Sequence, residues 1–232
     1  HQHFFVKELK KNNNKLKTIG YMHTVIPPLP LDYIKREGHP DLLLVNGIDQ
    51  KSILCQKLGW KNNEIKNISS LRYNLNNSVN FNGNIFLPYF IEDVNKMFYF
   101  FRKLIDLKKK FYFPKLKVRN HPSMGESYIH KKLKNKLEKY LLENKKLFIN
   151  KQNNRNISLF FGSTASVIEC LERGNRAFHI CSDPELEKFD NFFWKRLKII
   201  KLDKNIFEYK LKEKGKIIKI NKKFDRVSQF KK

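Results

Sequence analysis

Along the chain, short unbroken apolar runs alternate with longer stretches in which apolar residues return at i, i+3, i+4 and i+7. This is the pattern of buried strands alternating with amphipathic helices. The clearest case is Ile157 to Cys181, ISLFFGSTASVIECLERGNRAFHIC. Ile157 to Phe161 predicts a strand, Gly162 to Ser166 a tight loop of small and hydroxyl residues, and Val167 to Arg173 a helix that Gly174 stops. Arg176 to Cys181 predicts the next buried strand, so the whole stretch reads as a βαβ crossover.

Upstream, His1 to Lys17 predicts a helix end and an Asn-rich loop, and Leu16 to His23 a short strand that ends in a histidine. A loop containing Pro27, Pro28 and Pro30 follows. Asp41 to Val45 predicts a strand, Gln50 to Leu58 a helix ended by Gly59, and Glu64 to Ile68 another strand. Asn74 to Asn84 is rich in Asn and Ser with little apolar content, the composition of a linker.

After that linker the alternation starts afresh. Asn84 to Ile91 predicts a strand containing Pro88, and Asp93 caps a helix with Val94, Met97, Phe98, Phe101, Leu104 and Ile105 on its apolar face. Lys115 to Asn120 predicts a strand running into His121 and Pro122, and Tyr128 to Lys145 a second amphipathic helix. Asp183 to Leu197 predicts a capped helix, Lys198 to Leu202 a strand, and the remainder a weakly ordered basic tail. The fold class is therefore α/β with two Rossmann-like parallel-sheet layers: 1–75 a partial N-terminal domain, 76–84 a linker, 85–232 a C-terminal domain.

With 232 residues and 41% hydrophobic content the chain can bury a core. Its formal charge of +26 raises a nucleic-acid reading, but the lysines are scattered through every segment, so nucleic acid is not the favoured partner. A solvated lysine-rich surface is expected, with a pull toward anionic membrane or anionic nucleotide substrates. No apolar run approaches the ~18 residues of a membrane span, and the first residues lack the order of a signal peptide, so a cytoplasmic address is expected, with the lysine-rich surface allowing contact with the inner face of the membrane. The chain begins at His1 without an initiator Met, so upstream sequence is expected to be missing. Cys55, Cys170 and Cys181 lie far apart with no CxxC, which predicts reduced structural thiols.

Candidate chemistry gathers where predicted strands end. His121 follows a strand, and Pro122 fixes the turn that aims it, so the ring can donate to a phosphate oxygen or hold a ribose. Lys117 and Arg119 lie one strand period apart and add charge. Gly162, Ser163, Thr164 and Ser166 offer hydroxyls and backbone N–H groups at a helix start, where phosphates bind. Glu169, three residues after Ser166, is placed for ribose hydroxyls or for pairing with Arg173 at i+4. The chain contains no Asp-x-Asp, so no metal-bridged diphosphate is expected and no cofactor is required.

KVRNHP followed by FFGSTASVIECLERGN resembles the C-terminal, nucleotide-binding domain of GT-B fold glycosyltransferases, in particular bacterial enzymes of capsule and lipopolysaccharide synthesis that use CMP-activated sugars, the sialyl- and Kdo-transferases. The resemblance matches His121 and Pro122 to the family's HP motif, and Ser163, Thr164 and Ser166 to its Ser/Thr-rich motif, both of which bind the cytidine nucleotide. GYMHTVIPPLP, PDLLLVNG and SSLRY are similar to surface-carbohydrate proteins of this architecture, which implies that His23 faces the cleft between the domains as the best visible base for the acceptor hydroxyl. The implied partners are a nucleotide-sugar donor and a glycan or glycolipid acceptor. One departure is clear: the family's acidic motif ending in Gly has only the partial match Glu37-Gly38. CDP-polyol phosphotransferases and nucleotide-sugar epimerases share the architecture, and a non-catalytic carbohydrate-assembly partner and a basic nucleic-acid-binding protein are the rivals from other classes.

Overall fold

The structure, a computed structural model, describes residues 2–26, 28, 30–73, 81–108, 113–124, 127–148 and 156–220. The chain is α/β and forms two compact units, 1–78 with 213–232, and 79–212. Pro27 of the proline loop, residues 76–80 of the expected linker and residues 221–232 of the expected tail lie outside the described residues.

In the first unit α1 (Gln2–Asn12) precedes β1 (Ile19–Tyr21), β2 (Leu42–Val45), α2 (Ile48–Lys57) and β3 (Ile65–Asn67). The strands form a parallel sheet in the order β1-β2-β3, with Leu43 opposite both Gly20 and Ile65. Central β2 reads Leu-Leu-Leu-Val because a parallel strand between two neighbours is covered on both faces. α2 stops where Gly59 takes φ +77, a conformation that costs a glycine little.

The C-terminal stretch departs from the expectation of a loose tail. Ile217 and Ile218 are fully buried, and the backbone around them bonds back into the first unit: Lys219 N–H donates to Asn46 O (2.7 Å), Asp49 N–H to Lys216 O (3.0 Å) and Ser70 N–H to Lys219 O (2.9 Å). Gln50 Nε2 donates to Ile217 O across a separation of 167 residues. The segment passes so close to Gly47 that a Cβ there would overlap the Ile217 carbonyl. Its lysines point the eye to solvent, but paired isoleucines supply the apolar cover that a three-stranded sheet lacks.

The second unit contains β4 (Asn84–Phe86), α3 (Val94–Leu107), β5 (Lys117–Arg119), α4 (Tyr128–Glu143), β6 (Ile157–Phe161), α5 (Ser166–Glu172), β7 (Arg176–Ile180), α6 (Pro184–Glu187), β8 (Leu197–Asp203) and β9 (Ile206–Leu211). Its sheet has the order β5-β4-β6-β7-β9-β8. The first four strands are parallel; β9 is antiparallel to β7 and β8 to β9, so the sheet is mixed where an all-parallel layer was expected. All five residues of β6 are buried, consistent with its apolar sequence. Ile85, Val118, Leu159, Phe161 and Phe178 share a core with Met97, Phe101 and Leu104 of α3 and with Leu133 and Leu137 of α4. Strand alternation puts Ser158, Phe160 and His179 on the opposite face.

Two expectations fail after β7. The helix read over Asp183 to Leu197 shrinks to α6, because Lys188 turns extended (ψ 141°) and Phe189 and Trp194 bury themselves edge-to-face with ring centroids 5.9 Å apart. Packing of two large aromatics outweighs the helix-start signal of Asp183 and Pro184. The single strand read at Lys198 to Leu202 is one arm of the β8–β9 hairpin, whose Lys204-Asn205 turn lacks the glycine that marks a hairpin in sequence.

Candidate functional site

Strand order fixes where a ligand has access. β4 connects through α3 to β5 on one side, and β5 connects through α4 to β6 on the other side of β4. The chain thus leaves the C-terminal ends of β4 and β6 in opposite directions, the arrangement that opens a crevice in an α/β sheet. The loops at this edge begin at Leu87, Asn120, Gly162 and Cys181.

At the end of β6, Gly162 takes φ +61, and a Cβ built on it would stand 2.9 Å from Pro88 Cβ in the β4 loop. Only glycine lets the two loops approach so closely. Its carbonyl is held from beneath by a buried chain of polar groups. Phe189 N–H donates to Tyr209 Oη (3.2 Å), the Tyr209 hydroxyl donates to His179 Nδ1 (3.2 Å), and His179 Nε2–H donates to Gly162 O (2.6 Å). Each group has one role, so the neutral tautomer protonated on Nε2 satisfies every partner. Burial drives the His179 pKa down from 6.5 to about 4, against the opposing pull of the Gly162 carbonyl, and raises that of Tyr209.

A pH dependence follows. Above 6.5 the ring is neutral whether the chain is folded or not; below it, the unfolded ring takes a proton that the folded one refuses. Stability should therefore fall as pH drops from 6.5 toward about 4, by at most about 1.4 kcal/mol per pH unit. Denaturant midpoints between pH 7 and 4.5 check this. The parent should lose more over that range than His179→Gln, and parallel decline of the two would assign the acid sensitivity elsewhere.

Beyond Gly162, Ser163 is exposed, and Thr164 Oγ1 accepts the Ser166 N–H (3.2 Å), which shapes the entry to α5. His121 is half-buried beside Tyr89, edge-on at 5.3 Å, and its Nδ1 accepts the Ser123 N–H (3.3 Å), which leaves the proton of the neutral ring on Nε2. Pro122 starts a single helical turn, Pro122–Met124. His121, Pro122, Gly162, Ser163, Thr164 and Ser166 thus all lie on one sheet edge, the C-terminal one.

Two predicted residues are engaged otherwise. Arg119 Nε donates to Asn84 Oδ1 (3.1 Å) at the start of β4, so its guanidinium reaches back from the edge and lines a groove with Lys115, Lys117 and Glu138. Glu169 is 8% exposed and pairs with Arg173 (2.8 and 3.0 Å). His23 belongs to the first unit, exposed just after β1, where it lines a cleft of about 660 Å³ with Tyr33, His39 and Trp60.

Sequence reasoning passed over four polar residues of the second-unit edge. Glu187 accepts the Ser182 N–H (2.7 Å), and its other oxygen lies 3.7 Å from where a Gly162 Cβ would stand; burial raises its pKa. His130, at the first turn of α4, places Nε2 2.8 Å from Pro88 O. Its Nδ1, Asn120 Oδ1 and Ser182 Oγ are buried with no hydrogen-bond partner among the described residues. Unsatisfied buried polar atoms are uncommon, and these three sit on the edge where the strand order opens the sheet. The spacing of Asp183 and Glu187 across Pro184 was the available signal for the carboxylate.

Burial pushes the Cys170 thiol up to about 12 and raises Cys181 as well, so both are packing groups. Among the described residues no group of three or more His, Cys, Asp or Glu is placed to hold a metal ion, and no helix is long and apolar enough to cross a membrane. No protein-family model, curated protein or solved structure matches the chain, and its functional reading rests on the geometry of this sheet edge.

Proposed function

We propose that the chain is a glycosyltransferase of GT-B-like architecture. It moves a sugar from a nucleotide-activated donor, a CMP-sugar in the favoured form, to a surface-polysaccharide or lipopolysaccharide acceptor. The observation that carries this reading is the convergence of His121 and the Gly162–Ser166 loop on the C-terminal edge of four parallel strands, where the strand order changes direction. Ser163, Thr164 and the His121 Nε2–H supply donors for a phosphate oxygen.

In the proposed reaction the acceptor oxygen bonds to the anomeric carbon while the bond from that carbon to the nucleotide phosphate oxygen breaks. The electron pair leaves on the phosphate, where the same donors stabilise it as its charge grows. His23 is the proposed base that takes the acceptor proton.

Thermal stabilisation by CMP, CDP, UDP and GDP, measured on the parent and on His121→Ala, tests the binding step. A ligand that binds only the folded chain adds about 2.7 kcal/mol at a hundred times its Kd. One cytidine nucleotide should raise the parent's melting temperature and leave His121→Ala unmoved, while the two melt together without ligand. No shift with any nucleotide removes the basis of the proposal.

A further inference from the structure

We propose that the second unit carries a separate site for a phosphoryl group, in a cleft of about 580 Å³ framed by the β4 loop, the β7 loop and the β8–β9 hairpin. Four lysines from three parts of the unit line it: Lys96 in the first turn of α3, Lys188 after α6, and Lys201 and Lys204 on the hairpin. The site uses neither His121 nor the Gly162–Ser166 loop and stands apart from the transferase reading.

The cleft is a built frame. Asn205 Nδ2 donates to Cys181 O (2.8 Å) and Ser182 O (3.4 Å), and Cys181 N–H donates to Asn205 O (2.9 Å). These bonds clamp the hairpin turn to the end of β7 and so fix the backbone that carries Lys204. Ser182 also lines the cleft; it is 8% exposed, and its hydroxyl oxygen has no hydrogen-bond partner among the described residues. A phosphate oxygen is the acceptor that this hydroxyl lacks.

The charges favour an anion as well. Glu92, Asp183 and Glu185 share the lining, so the four lysines leave it a formal charge of +1; Asp183 caps α6 through the Glu185 N–H, and Lys188 lies 3.9 Å from both Glu185 and Asp190. On the hairpin, the nearby carboxylate of Asp203 is taken by Lys103 at 2.7 Å. Lys96, Lys201 and Lys204 are left with no carboxylate within ion-pair distance among the described residues. Compact ammonium groups on flexible stems suit a phosphate or diphosphate, whether carried by a soluble molecule or by a lipid headgroup.

Calorimetric titration of the full chain with pyrophosphate, beside sedimentation with phosphatidylcholine vesicles containing phosphatidic acid, tests the site. Saturable binding is expected, weakened about tenfold or more in Lys201→Gln/Lys204→Gln and unchanged in His121→Ala and in Lys195→Gln/Lys198→Gln, which loses the same charge elsewhere. Ser182→Ala should also weaken binding while melting no lower than the parent, since it removes a hydroxyl without a partner. Binding to pyrophosphate identifies a soluble source; binding to the vesicles alone, lost in the same hairpin variant, identifies a lipid-borne one. No saturable binding to either, or equal weakening in the Lys195/Lys198 variant, overturns the proposal.

Discussion

A Gly162→Val chain should lose about 2–5 kcal/mol of stability, the sum of forcing a side chain into the left-handed region and overpacking a closed contact. Both causes act at one position: φ is +61, and the added Cβ would lie 2.9 Å from Pro88 Cβ and 3.2 Å from Pro88 Cγ. Neither obstacle yields easily. The proline ring has no rotamer to escape into, and the Gly162 carbonyl is tied to His179 from below. Gly162→Ala carries the same first carbon without the branches and should fall between parent and valine. Urea unfolding of the three chains measures the series, and a valine variant as stable as the parent would show that the Pro88 loop gives way freely.

Glu208→Ala should cost about 3–5 kcal/mol, the range found when one member of a buried ion pair is removed. Glu208 is 3% exposed on β9; Arg176 Nε donates to it at 3.1 Å and Arg176 Nη2 contacts the same oxygen, with Lys108 Nζ at 3.7 Å. Lys210, 3.8 Å away but 45% exposed, adds little through water. The loss comes from leaving cationic groups without their carboxylate, not from the pair's own strength. Arg176→Met/Glu208→Leu should therefore recover much of the stability lost in Glu208→Ala. A double variant as unstable as the sum of its single changes would point to lost packing instead.

Some elements were legible because one physical cause dominated them. β6 is buried on both faces and wrote itself as four apolar residues around one serine, and Gly162 marked a turn that no other residue fits. The α3 stripe of Val94, Met97, Phe98, Phe101, Leu104 and Ile105 follows the helical period and is buried except for Phe98, which is partly buried against the same core. Where two causes competed, the sequence misled. Phe189 and Trp194 fell in a stretch whose Asp183-Pro184 cap reads as a helix start but are placed by ring packing, and residues 203–212, read as part of a basic tail, are the turn and second arm of a hairpin. At the candidate edge, the types and order of His121 and Ser163 were readable, whereas the direction of Arg119 toward Asn84 and the burial of Glu187 depend on neighbours remote in sequence.

The return of 213–220 to the first unit makes the second unit an insertion within the first. During synthesis all of 79–212 is made before Ile217 can reach Gln50, 167 residues earlier. The inserted unit can fold while its host still lacks the carbonyl acceptors for Gln50, Asp49 and Ser70. The first unit therefore closes only after the inserted unit has been made, by a strip of backbone that arrives late.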